Sequence, residues 1–339
     1  MAEKIQNIFE GNKREPHLRI AVTPKCNFKC TYCKPGGEGV CENGEKMTVE
    51  EIVKIIDIAS DIGFKHIKFT GGEPLMKKDI FHILRGTDEL KKLKEIQLVT
   101  NGSLLTYEKA KKLEDSGINS LTISLDASNR KAFERITRVD CFDKVIQGIY
   151  NARKVGLPVT INSVLMKSNY KELEGIIEIA RKTGSRLKLI DYMDLGDHEK
   201  WKKEYLSFEE LRKKLDKKSS EFKWIFPPGG LGTPMPCYRL EGRVEILLRD
   251  ATVGTNYCEK CEKCKNYPCQ DALISLRVTH DGNLKRCLIR DDNLVDVLTP
   301  LREGNLETVN GLIKESYDIL TKSEYLPNAW KPNNCKEGR

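Results

Sequence analysis

Residues 26–33, Cys-Asn-Phe-Lys-Cys-Thr-Tyr-Cys, constrain this chain more than any other stretch. Cys26, Cys30 and Cys33 stand at C-x3-C-x2-C spacing, directly after an apolar run, Leu18 to Val22, that reads as a strand. A four-iron cluster normally takes four thiolates, so three with no obvious fourth leave one iron open for a ligand that does chemistry. A zinc site would need a fourth ligand to close its tetrahedron. Cys41 lies too far along to complete such a knuckle naturally. A zinc knuckle or a set of ordinary thiols is the competing reading.

A chain of 339 residues can bury a large core and suits one big domain with an appendage, or two domains. Its 39% hydrophobic and 32% charged residues describe an ordinary soluble globular protein. No apolar run approaches the ~20 residues of a membrane helix, and the first residues carry no signal-peptide core, so a cytoplasmic protein is expected. Twelve cysteines in such a chain argue against a disulfide framework. Their grouping argues for metal: Cys26, Cys30 and Cys33 at one end, Cys258, Cys261, Cys264, Cys269 and Cys287 at the other. Cys141, Cys237 and Cys335 stand apart and are expected to be ordinary thiols. The net charge of +8 suits an anionic substrate such as a nucleotide, or RNA. Much of it, however, lies in runs such as Lys91-Lys92-Leu93-Lys94 and Lys213 to Lys218, which read as solvated helix faces.

Short β-branched runs alternate with amphipathic stretches from Leu18 to about Gly196. Strands are expected at Leu18–Thr23, His66–Thr70, Glu95–Thr100, Ser120–Asp126, Val159–Val164 and Arg186–Tyr192. Thr48-Val49-Glu50-Glu51 is a capping box that starts a helix ended by Gly63. Further helices follow Asp143, up to Gly156, and span Glu172–Ala180, up to Gly184. Six βα units in a row imply an α/β fold, a parallel sheet with helices outside, curved into a partial (β/α)6 barrel of the TIM type. Beyond Gly196 the pattern changes. A helix is expected over Glu204–Lys218, then an irregular Pro/Gly stretch from Pro227 to Pro234, then a strand at Val244–Leu248. Ile274–Thr279 precedes Asp281-Gly282, a hairpin turn signal, and a last helix is expected near Val309–Leu320. The expected division is an N-terminal extension at 1–17, the barrel at 18–220 and a smaller Cys-rich α+β domain at 221–339.

Polar groups recur where a barrel active site would need them. Gly71-Gly72-Glu73-Pro74 ends the second strand, where paired glycines let backbone approach a ligand; a tight βα turn is the alternative. Thr100-Asn101, Ser124-Leu125-Asp126, Asn162-Ser163 and Asp191-Tyr192-Met193 occupy later strand ends. Each alone could be a turn or cap residue.

The cysteine spacing, Tyr32 and the Gly-Gly-Glu-Pro segment resemble the radical S-adenosylmethionine (SAM) superfamily, whose fold is such a partial barrel. The resemblance implies a [4Fe–4S] cluster on Cys26, Cys30 and Cys33, with SAM chelating its open iron. Reduction of that cluster by a reductase, flavodoxin or ferredoxin then cleaves SAM to methionine and a 5′-deoxyadenosyl radical. It further implies Tyr32 and Met193 beside the adenine, Gly71, Gly72 and Glu73 at the amino group, and Thr100, Asn101, Ser124, Asp126 and Asn162 around ribose and carboxylate.

Within the superfamily the chain is most similar to the GTP 3′,8-cyclases of molybdenum-cofactor biosynthesis, through Leu18 to Thr23, Ser124 to Ala127, Ile190 to Met193 and Leu276 to Gly282. That resemblance implies an auxiliary [4Fe–4S] cluster in the C-terminal domain, on cysteines spaced C-x2-C-x13-C, with an open iron that anchors the purine. It also implies nucleotide contacts from the positions of Lys13, Arg14, Ser275 and Arg277. Cys258 and Cys261 match the first pair and Cys287 the last ligand, but 25 residues, including Cys264 and Cys269, intervene. All five are candidate ligands, and C-x2-C-x2-C-x4-C would also suit structural zinc. The expected function is hydrogen abstraction from a small-molecule substrate, a purine nucleotide, in molybdopterin precursor synthesis. A paralogue acting on another nucleotide, a peptide or RNA, with a fully ligated auxiliary cluster, is the first alternative. A non-catalytic Fe–S or zinc protein that binds nucleic acid is the second, and the Gly-Gly-Glu-Pro segment speaks against it. A homodimer is compatible with either enzyme reading.

Overall fold

The computed structural model describes residues 15–33, 47–226, 233–271, 273, 275–290 and 292–332. Lys13, Arg14, Cys41, Cys335 and residues 227–232 of the Pro/Gly stretch lie outside the described residues. Strands β1 (His17–Ala21), β2 (His66–Thr70), β3 (Glu95–Thr100), β4 (Ser120–Ser124), β5 (Val159–Leu165) and β6 (Arg186–Asp191) lie side by side in chain order, all parallel. Each agrees with the expected strand to within two residues at either end. Helices α1 (Val49–Ile62), α2 (Ile80–Glu89), α3 (Tyr107–Glu114), α4 (Arg130–Thr137), α5 (Phe142–Lys154) and α6 (Leu173–Thr183) connect them and cover the outer face.

Local chemistry explains the helix ends. The Thr48 hydroxyl accepts from the Glu51 amide at 3.2 Å, and the Glu51 carboxylate accepts from the Thr48 amide at 2.7 Å, so two orphan donors of α1 are satisfied reciprocally. The single helix expected over Glu204–Lys218 is instead two, α7 (His198–Glu204) and α8 (Glu209–Lys218). Tyr205 turns extended at ψ 129°, and Phe208 is fully buried between them. Burying that ring outweighs the helix propensity of the Lys/Glu run around it.

Later strands extend the same sheet at both ends. On one side β9 (Glu245–Arg249) pairs parallel with β6 and is followed outward by antiparallel β8 (Met235–Arg239) and β7 (Glu221–Ile225). On the other, β11 (Ser275–Val278) pairs parallel with β1, followed by antiparallel β12 (Asn283–Lys285) and β13 (Leu294–Asp296). The result is a twelve-stranded sheet, ordered β13-β12-β11-β1-β2-β3-β4-β5-β6-β9-β8-β7, that curls without closing. β10 (Gly254–Tyr257) and β14 (Glu324–Pro327) form a separate antiparallel pair. The remaining helices are α9 (Glu259–Glu262), α10 (Leu298–Arg302) and α11 (Leu306–Thr321). Among the described residues no helix is long and apolar enough to cross a membrane.

The two faces of the parallel run differ sharply. Leu18 and Ile20, Ile67 and Phe69, Leu98, Leu121 and Ile123, Ile161, Leu187 and Leu189 are essentially buried and pack under the helices. The alternate, inward positions hold Arg19, Lys68, Gln97, Thr122, Asn162 and Lys188. A packed TIM barrel fills its interior with branched apolar side chains. Here the inward row is polar and carries three cationic side chains, Arg19, Lys68 and Lys188.

Candidate functional site

The cysteine loop follows β1 at the carboxyl end of the sheet, and backbone groups hold it. Lys29 N–H donates to the Thr137 carbonyl at 3.1 Å and Thr31 N–H to the Ile136 carbonyl at 2.9 Å. The loop thereby satisfies carbonyls that α4 leaves open at its C-terminus. Phe28 is buried edge-on against Phe133, with ring centroids 5.8 Å apart. The Lys200 ammonium of α7 donates to the Thr31 carbonyl. With the backbone fixed this way, Cys26 and Cys33 are exposed and Cys30 is half-buried. Burial pushes the Cys30 thiol up, with Asp126, Cys33 and Cys26 adding to the shift as nearby negative groups. A metal that binds there must displace the proton.

The glycines at the end of β2 make this arrangement possible. A Cβ on Gly72 would stand 2.2 Å from the Lys25 carbonyl oxygen, and one on Gly71, at φ +140°, 2.4 Å from that of Thr23. Gly72 N–H donates to Thr23 O at 2.7 Å and Glu73 N–H to Lys25 O at 2.8 Å, so β2 holds the entry to the cysteine loop. Gly72→Ala is expected to cost about 2–4 kcal/mol, because the obstacle is backbone and cannot swing aside. Gly311→Ala in α11, with open space around its Cβ, should instead stabilise by about 0.5–1 kcal/mol. Thermal unfolding of both metal-free variants tests the contrast, and equal melting temperatures would refute it.

Glu73 is fully buried and its carboxylate is committed to the protein. Oε1 accepts from Leu75 N–H at 3.0 Å and the Thr100 hydroxyl at 2.6 Å, and Oε2 accepts from Asn101 N–H at 2.7 Å. Burial raises its pKa against those three donors. Thr100 and Asn101 are thus locked to the glycine turn. Asn101 in turn donates to Asn27 Oδ1 at 2.8 Å and accepts from Ser103, whose hydroxyl receives Asn27 Nδ2 at 2.9 Å. Nothing at the sequence level singled out Asn27 or Ser103.

Asp126, beyond β4, accepts from the Tyr32 phenol at 2.7 Å and from Val164 N–H at 2.7 Å. Burial pushes its carboxyl up to about 6, opposed by those two donors. Tyr32 is raised well above its ordinary value by burial, and then by Asp126. Ser124 and Asn162 face the lumen, the latter with Oδ1 buried and unpartnered among the described residues. Ser163 faces the helices instead. Met193 Sδ lies 3.3 Å from Arg249 Nη1, and Arg249 also pairs with the buried Asp191 at 3.4 Å.

The lumenal cations were not legible as a group. Lys188 on β6 is pushed down to about 7 by burial, and then by the like charges of Lys68, Arg249 and Arg19. β2 and β6 are four steps apart in the sheet, about 19 Å if it were flat. Curling of the sheet is what brings their charges together. Arg277 on β11 is buried beside Arg19 in the register and pairs with Asp271 at 3.5 Å. Ser275 is buried with its hydroxyl unpartnered among the described residues.

The five C-terminal cysteines share one neighbourhood. Cys258 caps the start of α9 and Cys261 lies within it, with sulfurs 3.6 Å apart. Cys269 is pushed up to about 12 by burial, and then by Asp271, Cys287 and Cys264 nearby. Cys287 is pushed up to about 11 by burial and Asp271. Cys141 and Cys237 lie elsewhere, Cys237 buried in β8. Gln270 and Asp271 escaped notice in the sequence as two polar residues of a loop, yet both are buried anchors.

The donors fit iron–sulfur groups. The first loop offers three thiols while the nearby carboxylates of Glu73 and Asp126 are occupied by protein donors. Among the described residues both of these carboxylates are engaged by protein donors, and a cluster with one iron not ligated by protein needs no fourth protein ligand. The second neighbourhood offers enough thiols for a whole cluster.

Comparison with known proteins agrees. Residues 20–180 match the model of the Radical SAM superfamily. A probable GTP 3′,8-cyclase of Methanocaldococcus jannaschii is 36% identical over 292 residues, covering 86% of this chain and 91% of that protein. The GTP 3′,8-cyclase of Thermodesulfovibrio yellowstonii is 33% identical over 86% of this chain and 87% of its own. Streptococcus suis SuiB, solved with its precursor peptide SuiA, superposes at a TM-score of 0.60 and 18% identity over 87% of this chain and 66% of SuiB, a likeness of fold. The chain therefore belongs to the radical SAM superfamily and, within it, to the family of the GTP 3′,8-cyclases.

Proposed function

We propose that this radical SAM enzyme acts on a purine nucleoside triphosphate, GTP, which it rearranges with formation of a new carbon–carbon bond. The observation that carries this reading is the lumen lined by Arg19, Lys68, Lys188 and Arg249, beneath the strand ends where the cysteine loop sits. Lys188 feels the like charges of Lys68, Arg249 and Arg19, a concentration of positive charge that favours an anionic ligand, and a triphosphate supplies one. As a member of its family the enzyme uses S-adenosylmethionine and two [4Fe–4S] clusters, and the bound SAM supplies the 5′-deoxyadenosyl radical that takes hydrogen from the substrate.

In this reading the protein's own groups position and shield. Cys26, Cys30 and Cys33 hold the first cluster. The backbone of Gly71 to Glu73 would hold the amino group of SAM, while the Glu73 carboxylate keeps Thr100 and Asn101 in place. Ser124, Asn162, Met193 and Tyr32 line the remaining contacts, with Asp126 fixing the Tyr32 ring. Lys68 and Lys188 fix the phosphates, so that remote binding energy orients the ribose for hydrogen abstraction. The segment after residue 221 provides the second cluster beside the substrate, and a flavodoxin, ferredoxin or reductase supplies the electron.

A second reading, another anionic nucleotide, is favoured by Asp271, which already pairs with Arg277. The test is 5′-deoxyadenosine formation by anaerobically reconstituted, dithionite-reduced enzyme with SAM and GTP, ATP or guanosine. GTP should stimulate it, and guanosine should fall short by at least about 100-fold, the value of two lost charge-assisted contacts. Equal stimulation by guanosine would sink the phosphate-lumen reading, and preference for ATP would favour the second.

A further inference from the structure

We propose that Cys269 is the fourth protein ligand of the C-terminal cluster, with Cys258, Cys261 and Cys287, so that no iron of this cluster is open to substrate. The inference rests on the two-cluster reading above and concerns only how this chain completes the second site.

The anchoring of Cys269 singles it out from Cys264. The Tyr257 phenol, beside Cys258 in sequence, donates to the Cys269 carbonyl at 2.5 Å and accepts its N–H at 3.2 Å. On the other side the Asp271 carboxylate accepts from Leu288 N–H, beside Cys287, at 2.7 Å, and pairs with Arg277. Cys269 is therefore tied to the residue before one flanking cysteine and the residue after another. Gln270 fastens it to the barrel: its amide nitrogen donates to the Tyr192 carbonyl at 3.0 Å, and its oxygen accepts from Asp194 N–H at 3.0 Å. Gln270 and Asp271 are both about 4% exposed, so three buried groups position one thiol. Cys264 has no such framework among the described residues. Its N–H and carbonyl make only turn bonds, to Cys261 and from Tyr267.

A cluster ligated by four thiolates keeps all four irons coordinatively saturated by protein. It cannot bind the purine directly, so orientation of substrate falls to the lumenal cations and to side chains around Ser275. The 25 residues between Cys261 and Cys287 thus do more than lengthen a loop. They carry a ligand and the two polar residues that set it in place.

The test uses full-length chain with Cys26, Cys30 and Cys33 all changed to Ala, reconstituted anaerobically so that only the second cluster loads. About four irons and four sulfides per chain are expected. The Mössbauer spectrum of that cluster should not change on addition of GTP or cyanide, and ferricyanide should not expel an iron. Adding Cys269→Ala should open one iron: ferricyanide then removes one of four to leave a three-iron EPR signal, and cyanide shifts the spectrum. Adding Cys264→Ala instead should leave every signal as in the parent, which also shows that the loop tolerates loss of a thiol. Reversal of the two variants' behaviour, or a GTP- or cyanide-sensitive iron in the parent, overturns the assignment. Zinc without iron or sulfide in the parent would instead refute the second-cluster reading on which it rests.

Discussion

Replacing Cys30 by alanine is expected to cut 5′-deoxyadenosine formation by at least about 10³-fold, to background, while leaving the barrel folded. The loop does not depend on the thiol for its shape. Phe28 buried on Phe133, and the amides of Lys29 and Thr31 donating to the end of α4, hold it in metal-free protein. Iron should fall from about eight to about four per chain, the second cluster remaining, because an open-iron cluster cannot tolerate loss of another ligand. The melting temperature of the metal-free variant should stay within a few degrees of the parent, since a half-buried thiol contributes little packing. Iron and sulfide analysis beside the nucleoside assay decides the matter. Full iron content in the variant would mean that Cys30 is not a ligand.

The strands of the barrel were legible because a parallel strand under helices needs an unbroken apolar outer row, and Gly or polar residues end each run where the chain must turn. The capping box of Thr48 and Glu51 was legible because it is wholly local. What escaped was whatever depends on curvature and distant register. β9 and β11 add to opposite ends of the sheet without a preceding βα unit, so no repeat announces them, and six expected units become eight parallel strands. Lys68 and Lys188 looked like the lysines of any soluble protein, since Lys is rarely buried; only the inward register sets them face to face. The Gly-Gly-Glu-Pro segment was read for its ligand, yet the Glu73 side chain faces away, into Thr100 and Asn101. The cysteines announced the second site, but Gln270 and Asp271 gained meaning only with partners 78 and 17 residues away.

Lys188→Met is expected to weaken GTP binding by about 10- to 100-fold, and to do so in a pH-dependent way that identifies the group. Burial and the charges of Lys68, Arg249 and Arg19 bring the Lys188 ammonium down to about 7, so much of it is neutral in the free enzyme at pH 8. A triphosphate favours the charged form, and binding at pH 8 should therefore take up a proton. Affinity then falls as pH rises above about 7, by at most about ten-fold per unit, until the pH reaches the raised pKa of the complex. The folded apoprotein shows the converse linkage. Its lysine holds fewer protons than the unfolded chain between about 7 and the ordinary lysine value, so Lys188 destabilises fully below pH 7 and progressively less as pH rises. Lys188→Met should remove both slopes, raising stability relative to the parent most at low pH. Lys188→Arg should keep the affinity and lose its pH dependence, because a guanidinium does not deprotonate in this range. Titration calorimetry of SAM-loaded enzyme in two buffers of different ionisation enthalpy measures the proton uptake directly. No uptake in the parent, or the same uptake in Lys188→Met, would remove Lys188 from the phosphate site and with it the main support for a triphosphate in the lumen.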